Sequence, residues 1–318
     1  MSSYIIRRFI EAFFVLIIVS LIIFFIMRLL PGDPILIYIG EIGLDSATPE
    51  QIKQMRHEFG LDRPILVQYA DWVWRLIHGE LGRSVVFRVD VGSMIAKALP
   101  KTLHLGLTAF IMSALVGMLA GVISAVRWGK KIDTFITLLA NIGICIPIFW
   151  LGIMMIYLFS LYLGWLPPFG YTSPFENFWL STKQSVMPVI CLSIFPIAAV
   201  ARQTRSTMLE VIHQDFIRTA WSTGLKERTI IIKHALKNSL APVVTLLGDR
   251  LRLIIGGTVL IETVYNIPGM GRMAVDAIFG QDYPVVQGVI LVISVMVVLS
   301  NFIVDISYGW FDPRIRYD

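Results

Sequence analysis

Charge is scarce in this chain. Only 15% of its 318 residues are charged and 56% are hydrophobic, where a soluble domain carries about 25% and about 45–50%. Cysteine is scarcer still. Cys145 and Cys191 each lie inside an apolar run, which excludes a disulfide framework and a cysteine metal cluster. The five histidines, His57, His78, His104, His213 and His234, have no metal-ligand spacing, so no metal site is expected. No Gly-x-x-x-x-Gly-Lys-Ser/Thr loop is present to cradle phosphates. Gly269-Met270-Gly271-Arg272 has glycines and a base at the wrong spacing. Gly-x-Ser-x-Gly, His-Glu-x-x-His and Gly-x-Gly-Asp arrangements are also missing, which leaves an intramembrane enzyme without a nucleophile or metal. The chain is therefore expected to be no enzyme and to bind no cofactor itself.

What is abundant is apolar sequence in runs of roughly twenty residues, the length that crosses a hydrocarbon core of about 30 Å. Six such runs predict six spans: Phe9–Leu30, Leu103–Val126, Phe135–Leu163, Met187–Met208, Leu240–Ile261 and Val285–Tyr308. The first follows Arg7 and Arg8 and is too long for a signal-peptide core. It runs into Pro31-Gly32-Asp33-Pro34 with no small-residue cleavage site. The expected organisation is an N-terminal membrane helix over residues 1–30, an extracytoplasmic region over 31–101 and a five-span core over 102–318. Within the extracytoplasmic region, Pro49–Phe59 reads as an amphipathic helix. Trp72 and Trp74 of its aromatic stretch could anchor a partner protein or pack on the membrane surface.

The net charge of +5 comes from basic residues between apolar runs, with no stripe suited to nucleic acid. With the N-terminus inside, one set of loops holds Arg127, Lys130, Lys131, Arg202, Arg205, Arg218, Lys226, Arg228, Lys233 and Lys237. The short loops of the opposite side hold only Lys183 and Arg272. Positive charge favours the cytoplasmic side, so both termini are expected in the cytoplasm.

The loop between the fourth and fifth spans, about residues 210–238, carries the most information. Asp215 is a fair helix N-cap and Gly224 a fair stop. A helix of about two and a half turns between them is too short to span. Phe216, Ala220 and Thr223 fall on one face. A second helical stretch follows through Ile230 to Leu240. These residues suit a solvated connecting helix and a docking element alike; a sensor or scaffold would need no docking element.

This loop resembles the cytoplasmic motif of ABC importer permeases, in which Glu-Ala-Ala, three residues and Gly are followed by Ile-x-Leu-Pro. Arg218-Thr219-Ala220 holds the first place, Gly224 the glycine, and His234-Ala235-Leu236-Lys237 follows nine residues later. Asp215-Phe216-Ile217-Arg218-Thr219-Ala220 and His234–Pro242 are similar to the variant of the dipeptide/oligopeptide/nickel permease family. So are Phe59–Pro64, Gly164-Trp165-Leu166-Pro167, Ala201–Arg205, Glu262–Tyr265, Asp282–Gln287 and Asp312–Tyr317, in order along the whole chain.

The resemblance implies an all-α polytopic membrane protein with a type I ABC importer permease-like fold in a bacterial or archaeal inner membrane. It implies a second homologous permease subunit, two ATPase subunits that bind ATP and Mg, and an extracytoplasmic substrate-binding protein. Di- or oligopeptides are the implied cargo; nickel, a nickel chelate or another small solute such as glutathione is the alternative. Asp215, Phe216, Arg218, Thr219, Ala220, Gly224, His234 and Leu236 would couple to the ATPase. Glu262, Pro268, Gly269 and Gly271 would form an outer gate, or equally an ordinary turn. Asp249, Arg250 and Arg252 sit within the fifth apolar run, where such residues normally face protein or water. Asp249 and Arg252 are spaced to pair. The three charges fit a translocation pathway, or a helix shifted so that they lie near its end.

Overall fold

The computed structural model describes residues 2–29, 48–58 and 62–311. Among them there are helices and turns but no strand; Arg83 and Asp90 form an isolated antiparallel bridge. The helices, in chain order, are α1 (Ser2–Leu29), α2 (Pro49–Glu58), α3 (Ile65–Ile77), α4 (Val91–Val126) and α5 (Lys131–Cys145). Next come α6 (Ile148–Met155), which continues as a π-helical stretch (Ile156–Tyr162), and α7 (Phe178–Ile212). α8 (Asp215–Ser222) is short, and α9 (Glu227–Thr229) leads through a second π stretch (Ile230–Leu236) into α10 (Lys237–Val264). α11 (Met270–Phe279) and α12 (Tyr283–Phe311) complete the described chain.

Among the described residues, five helices are long and apolar enough to cross a membrane, and six spans result if one bent pair is counted together. That pair is α5 and α6. The sequence reads Phe135–Leu163 as one span, and within it the chain bends by 103° between the two helices. Pro147 explains the break. Proline disfavours helical backbone in the residue before it and has no N–H to give the preceding turn. Ile146 is accordingly extended, with φ −75° and ψ 124°.

The described residues divide into two compact units. The first comprises residues 101–267 and those from 299 onward, and α7 is its most buried span. Asn177 caps α7 by accepting a hydrogen bond from the Leu180 N–H at 3.0 Å. α4 approaches α7 closely because Gly117 and Gly121 lie four apart on one face. A Cβ at 121 would fall 2.5 Å from Thr204 Cβ and 2.6 Å from the Ala201 carbonyl oxygen. Small residues at this spacing let membrane helices pack backbone to backbone. The unit has two apolar clusters. One gathers Leu105, Met187, Cys191, Ile254, Ile261 and Tyr265; the other gathers Ala125, Met208, Ile217, Ala220, Ile230 and Ala235.

The second unit comprises Ser2–Pro100 and Pro268–Val298. Its core includes Ile23 and Met27 of α1, Val91 and Ile95 of α4, Met270 of α11 and Val289 of α12. Asp282 ties its loop residues: Ser84 Oγ donates to the carboxylate, as do the N–H groups of Val85 (3.2 Å) and Val86 (3.3 Å). Thr48 and Gln51 open α2 with a reciprocal capping pair, at 2.9 and 3.4 Å. Just beyond α2, the hydrogen bond with His57 holds the Asp62 carboxyl below its usual range.

Candidate functional site

α8 is held from below and bare above. Ile217 and Ala220 are buried in the cluster that also contains Met208 and Val211 of α7 and Ile230 and Ala235 of the π stretch. Burying an isoleucine fully contributes about 1.5–3 kcal/mol, enough to seat a two-turn helix that could not persist alone. Phe216 and Trp221 remain 40% and 49% exposed, beside the exposed Asp215–Arg218 pair at 3.6 Å. The buried residues of α8 are Ile217 and Ala220, while Phe216 and Thr223, which share a face with Ala220 by spacing, stay exposed. Asp215 is the first helical residue, and Gln214 occupies the cap position without a side-chain bond. Thr219 Oγ1 donates to the Asp215 carbonyl at 3.1 Å. Gly224 takes φ +74° and its N–H donates to the Trp221 carbonyl at 3.0 Å, which closes the helix. His234 and Leu236 are half-buried in the π stretch, and Leu236 packs on the same cluster.

The spacing arguments miss an ion pair in the same unit. Arg205 of α7 donates Nε to Asp133 Oδ1 at 2.7 Å and its NH2 nitrogen to Oδ2 at 2.9 Å. Ser124 Oγ and the Gly129 N–H also donate to Asp133, which is buried. This carboxylate thus joins α4, the α4–α5 turn, α5 and α7. The available signal was an aspartate opening one apolar run and an arginine near the end of another. Such residues seldom stay without a partner.

On α10, Asp249 is exposed and Arg250 is half-buried. The Arg250 guanidinium lies 5.1 Å from the centroid of the Phe195 ring, and its buried Nε has no hydrogen-bond partner. The Arg252 side chain lies outside the described residues. Near the far end of α10, Glu262 is fully buried and accepts a hydrogen bond from Thr102 Oγ1 at 2.6 Å. Tyr265 is buried beside it in sequence, with its hydroxyl donating to the Gly152 carbonyl at 3.2 Å. Tyr171, in the loop before α7, faces His104 Nδ1 at 3.1 Å. Burial, and secondarily the charge of Glu176, raises its phenol above the ordinary value.

Pro268, Gly269 and Gly271 belong to the second unit, where Pro268 is exposed and the two glycines are buried at the start of α11. In that unit Trp72 is half-buried against Phe24 of α1, with centroids 5.8 Å apart, and is not free to anchor a partner; Trp74 is 66% exposed. No group of three or more His, Cys, Asp or Glu residues is gathered as for a metal ion among the described residues.

Known proteins extend these observations. Residues 117–317 match the family model described as binding-protein-dependent transport system inner membrane component, and residues 1–106 match the model of its N-terminal part. A Brucella abortus (strain 2308) protein named as a peptide transport system permease is 43% identical, with 100% of both chains covered. The di/tripeptide transport system permease protein DppB of Pseudomonas aeruginosa is 39% identical, and the dipeptide transport system permease protein DppB of Escherichia coli K12 is 37% identical. Each comparison covers 94% of both chains. The fold is shared with the MetNI methionine ABC transporter in an inward-facing form, at a TM-score of 0.58 and 19% identity over 69% of this chain and 96% of that one. With five to six helical spans among its described residues and family models matching along nearly its whole length, the chain belongs to the binding-protein-dependent transport system inner membrane components, the permeases of ABC transporters.

Proposed function

We propose that this chain forms one half of the translocation pathway of an ATP-driven importer for di- or oligopeptides. Its partners in this reading are a second homologous permease, two ATPase subunits that bind ATP and Mg, and an extracytoplasmic binding protein that delivers the peptide. Both termini lie in the cytoplasm. The observation that carries the reading is α8: a two-turn helix anchored by Ile217 and Ala220 that presents Phe216, Arg218 and Trp221 outward. Such a knob suits a cleft in an ATPase. Closure of the ATPase pair would move α8, and the spans seated with it would follow. Among the pathway residues, Arg250 has a buried donor with no partner, which suits a peptide carboxylate. Glu262 and the Pro268–Gly271 turn are assigned to the outer gate.

The peptide names of the relatives at 37–43% identity support the cargo. The test is to express the chain with its partner subunits, reconstitute the complex, and add the binding protein loaded with peptides or with nickel chelates. Peptide-dependent, ATP-driven uptake is the expected result. Uptake of nickel chelate alone would overturn the cargo and keep the permease, and failure of any ATPase to co-purify would overturn the coupling role of α8.

A further inference from the structure

The region between α1 and α4 reads from sequence as extracytoplasmic, yet α3 is tied to α1 at a depth that places it in the bilayer. Within the second unit, Tyr69 of α3 hydrogen-bonds Ser20 of α1 at 2.8 Å. The Tyr69 and Trp72 rings lie 5.4 and 5.8 Å from that of Phe24. α1 is helical to Leu29 and its apolar stretch runs from about Phe9. At 1.5 Å per residue, Ser20 lies about 13 Å below Leu29 and about 16 Å from Phe9, close to the middle of a hydrocarbon core of ~30 Å. Phe24 lies about 7 Å below Leu29. A tilt of about 20° shortens these depths by under 1 Å. A serine side chain, a hydrogen bond and a tyrosine laid end to end are shorter than the Ser20 depth. The backbone of α3 at Tyr69 is therefore itself below the level of Leu29.

The rest of α3 has the composition such a position requires. Tyr69 and Trp72 face α1, and Leu76 follows them at helical spacing. Leu66, Trp74 and Ile77 lie on a neighbouring arc and remain 69%, 66% and 73% exposed. Gln68, Asp71 and Arg75 form a separate polar stripe, in which Asp71 pairs with Arg63 at 2.9 Å and Gln68 donates to the Arg63 carbonyl at 2.8 Å. An apolar arc beside a polar stripe is the pattern of a helix lying at a bilayer boundary.

We propose that α3 is embedded in the leaflet occupied by the C-terminal half of α1, with Leu66, Trp74 and Ile77 in contact with phospholipid acyl chains. It holds the segment before α4 against the membrane and leaves the polar stripe toward water. The inference does not depend on the cargo or on which side of the membrane that leaflet faces.

The test uses the assembled transporter in phospholipid vesicles, carrying Cys145→Ala and Cys191→Ala. Single cysteines at Leu66, Trp74 and Ile77, and at Arg75 on the stripe, are labelled with an environment-sensitive fluorophore. The expected result is blue-shifted emission at the first three positions, quenched by doxyl-labelled phospholipids several-fold more than at Arg75 and shielded from aqueous iodide. Iodide access at all three would overturn the proposal by showing a solvated helix. Blue-shifted emission insensitive to doxyl lipid would overturn it in favour of a protein cover, such as the binding protein or a second permease. If Trp74→Cys does not assemble, Leu66 and Ile77 still decide, since both are largely exposed and their replacement removes little packing.

Discussion

Gly224 offers a graded perturbation of the α8 knob. Its φ of +74° lies in the left-handed region, and a Cβ there would have nothing within 4 Å. The cost of substitution is thus backbone strain and not collision. An L-residue in that conformation loses about 1–2 kcal/mol, while asparagine is tolerated better. A strain of that size lowers the population of the closed helix end about 5–30-fold. Because the strain is confined to an exposed turn, the amount of assembled complex should be unchanged. The assay compares peptide-stimulated ATP hydrolysis with peptide uptake in vesicles for Gly224→Asn, Gly224→Ala and Gly224→Val. Uptake per ATP should stay near that of the parent for Asn, fall for Ala and fall furthest for Val, whose branched side chain suits that backbone least. Full coupling in Gly224→Val would refute the reasoning. So would an order that follows side-chain volume, with Asn worse than Ala, because that order indicates contact with the ATPase and not backbone strain.

Other perturbations test other parts. Asp133→Ala leaves Arg205 without its bidentate partner. Breaking a buried pair costs about 3–5 kcal/mol, and the low end is expected because the Arg205 side chain is 30% exposed. Thermal unfolding in detergent should show the loss, and the Asp133→Ala/Arg205→Met double variant should recover part of it. Gly121→Leu drives a side chain into Thr204 and the Ala201 carbonyl, where overpacking costs about 1–3 kcal/mol or more. Size-exclusion profiles should show less folded protein, and an unchanged profile would contradict the close approach of α4 and α7. Ile217→Ala should cost about 2–5 kcal/mol of local stability, read as faster hydrogen exchange across α8 with the transmembrane part of α7 unaffected. Arg250→Ala should reduce uptake of peptides with a free carboxyl terminus more than uptake of amidated peptides, if the binding protein takes both. Equal loss for both would remove the carboxylate from the argument.

Much of the architecture was legible because a bilayer imposes length on apolar runs. The places where the reading stopped short have identifiable causes. Pro147 was in plain view, but run length conceals a bend, and only the proline's effect on Ile146 reveals it. On α8, Ala220 lies between Phe216 and Ile217 around the helix, so periodicity suggests two apolar stripes and cannot choose between them. The cluster with Met208 and Ile230 chooses Ile217. The Asp133–Arg205 pair joins residues 72 positions apart, a pairing that no local pattern encodes. Trp72 read as a free aromatic because its partner, Phe24, sits in another helix. The glycine end of α8 was legible because it depends on backbone conformation alone.

The length of α10 has a mechanical meaning. Leu236, the residue just before its base, packs on the cluster that seats α8, and Glu262 lies 26 residues further on, about 39 Å along a helix axis. If α10 moves as a stiff rod about that base, it acts as a lever arm. A tilt of about 3° would carry Glu262 sideways by about 2 Å. That exceeds the slack in its 2.6 Å hydrogen bond from Thr102. The Thr102–Glu262 contact would then register a push on α8, together with the buried cluster around Ile254 and Ile261 that the same tilt carries along.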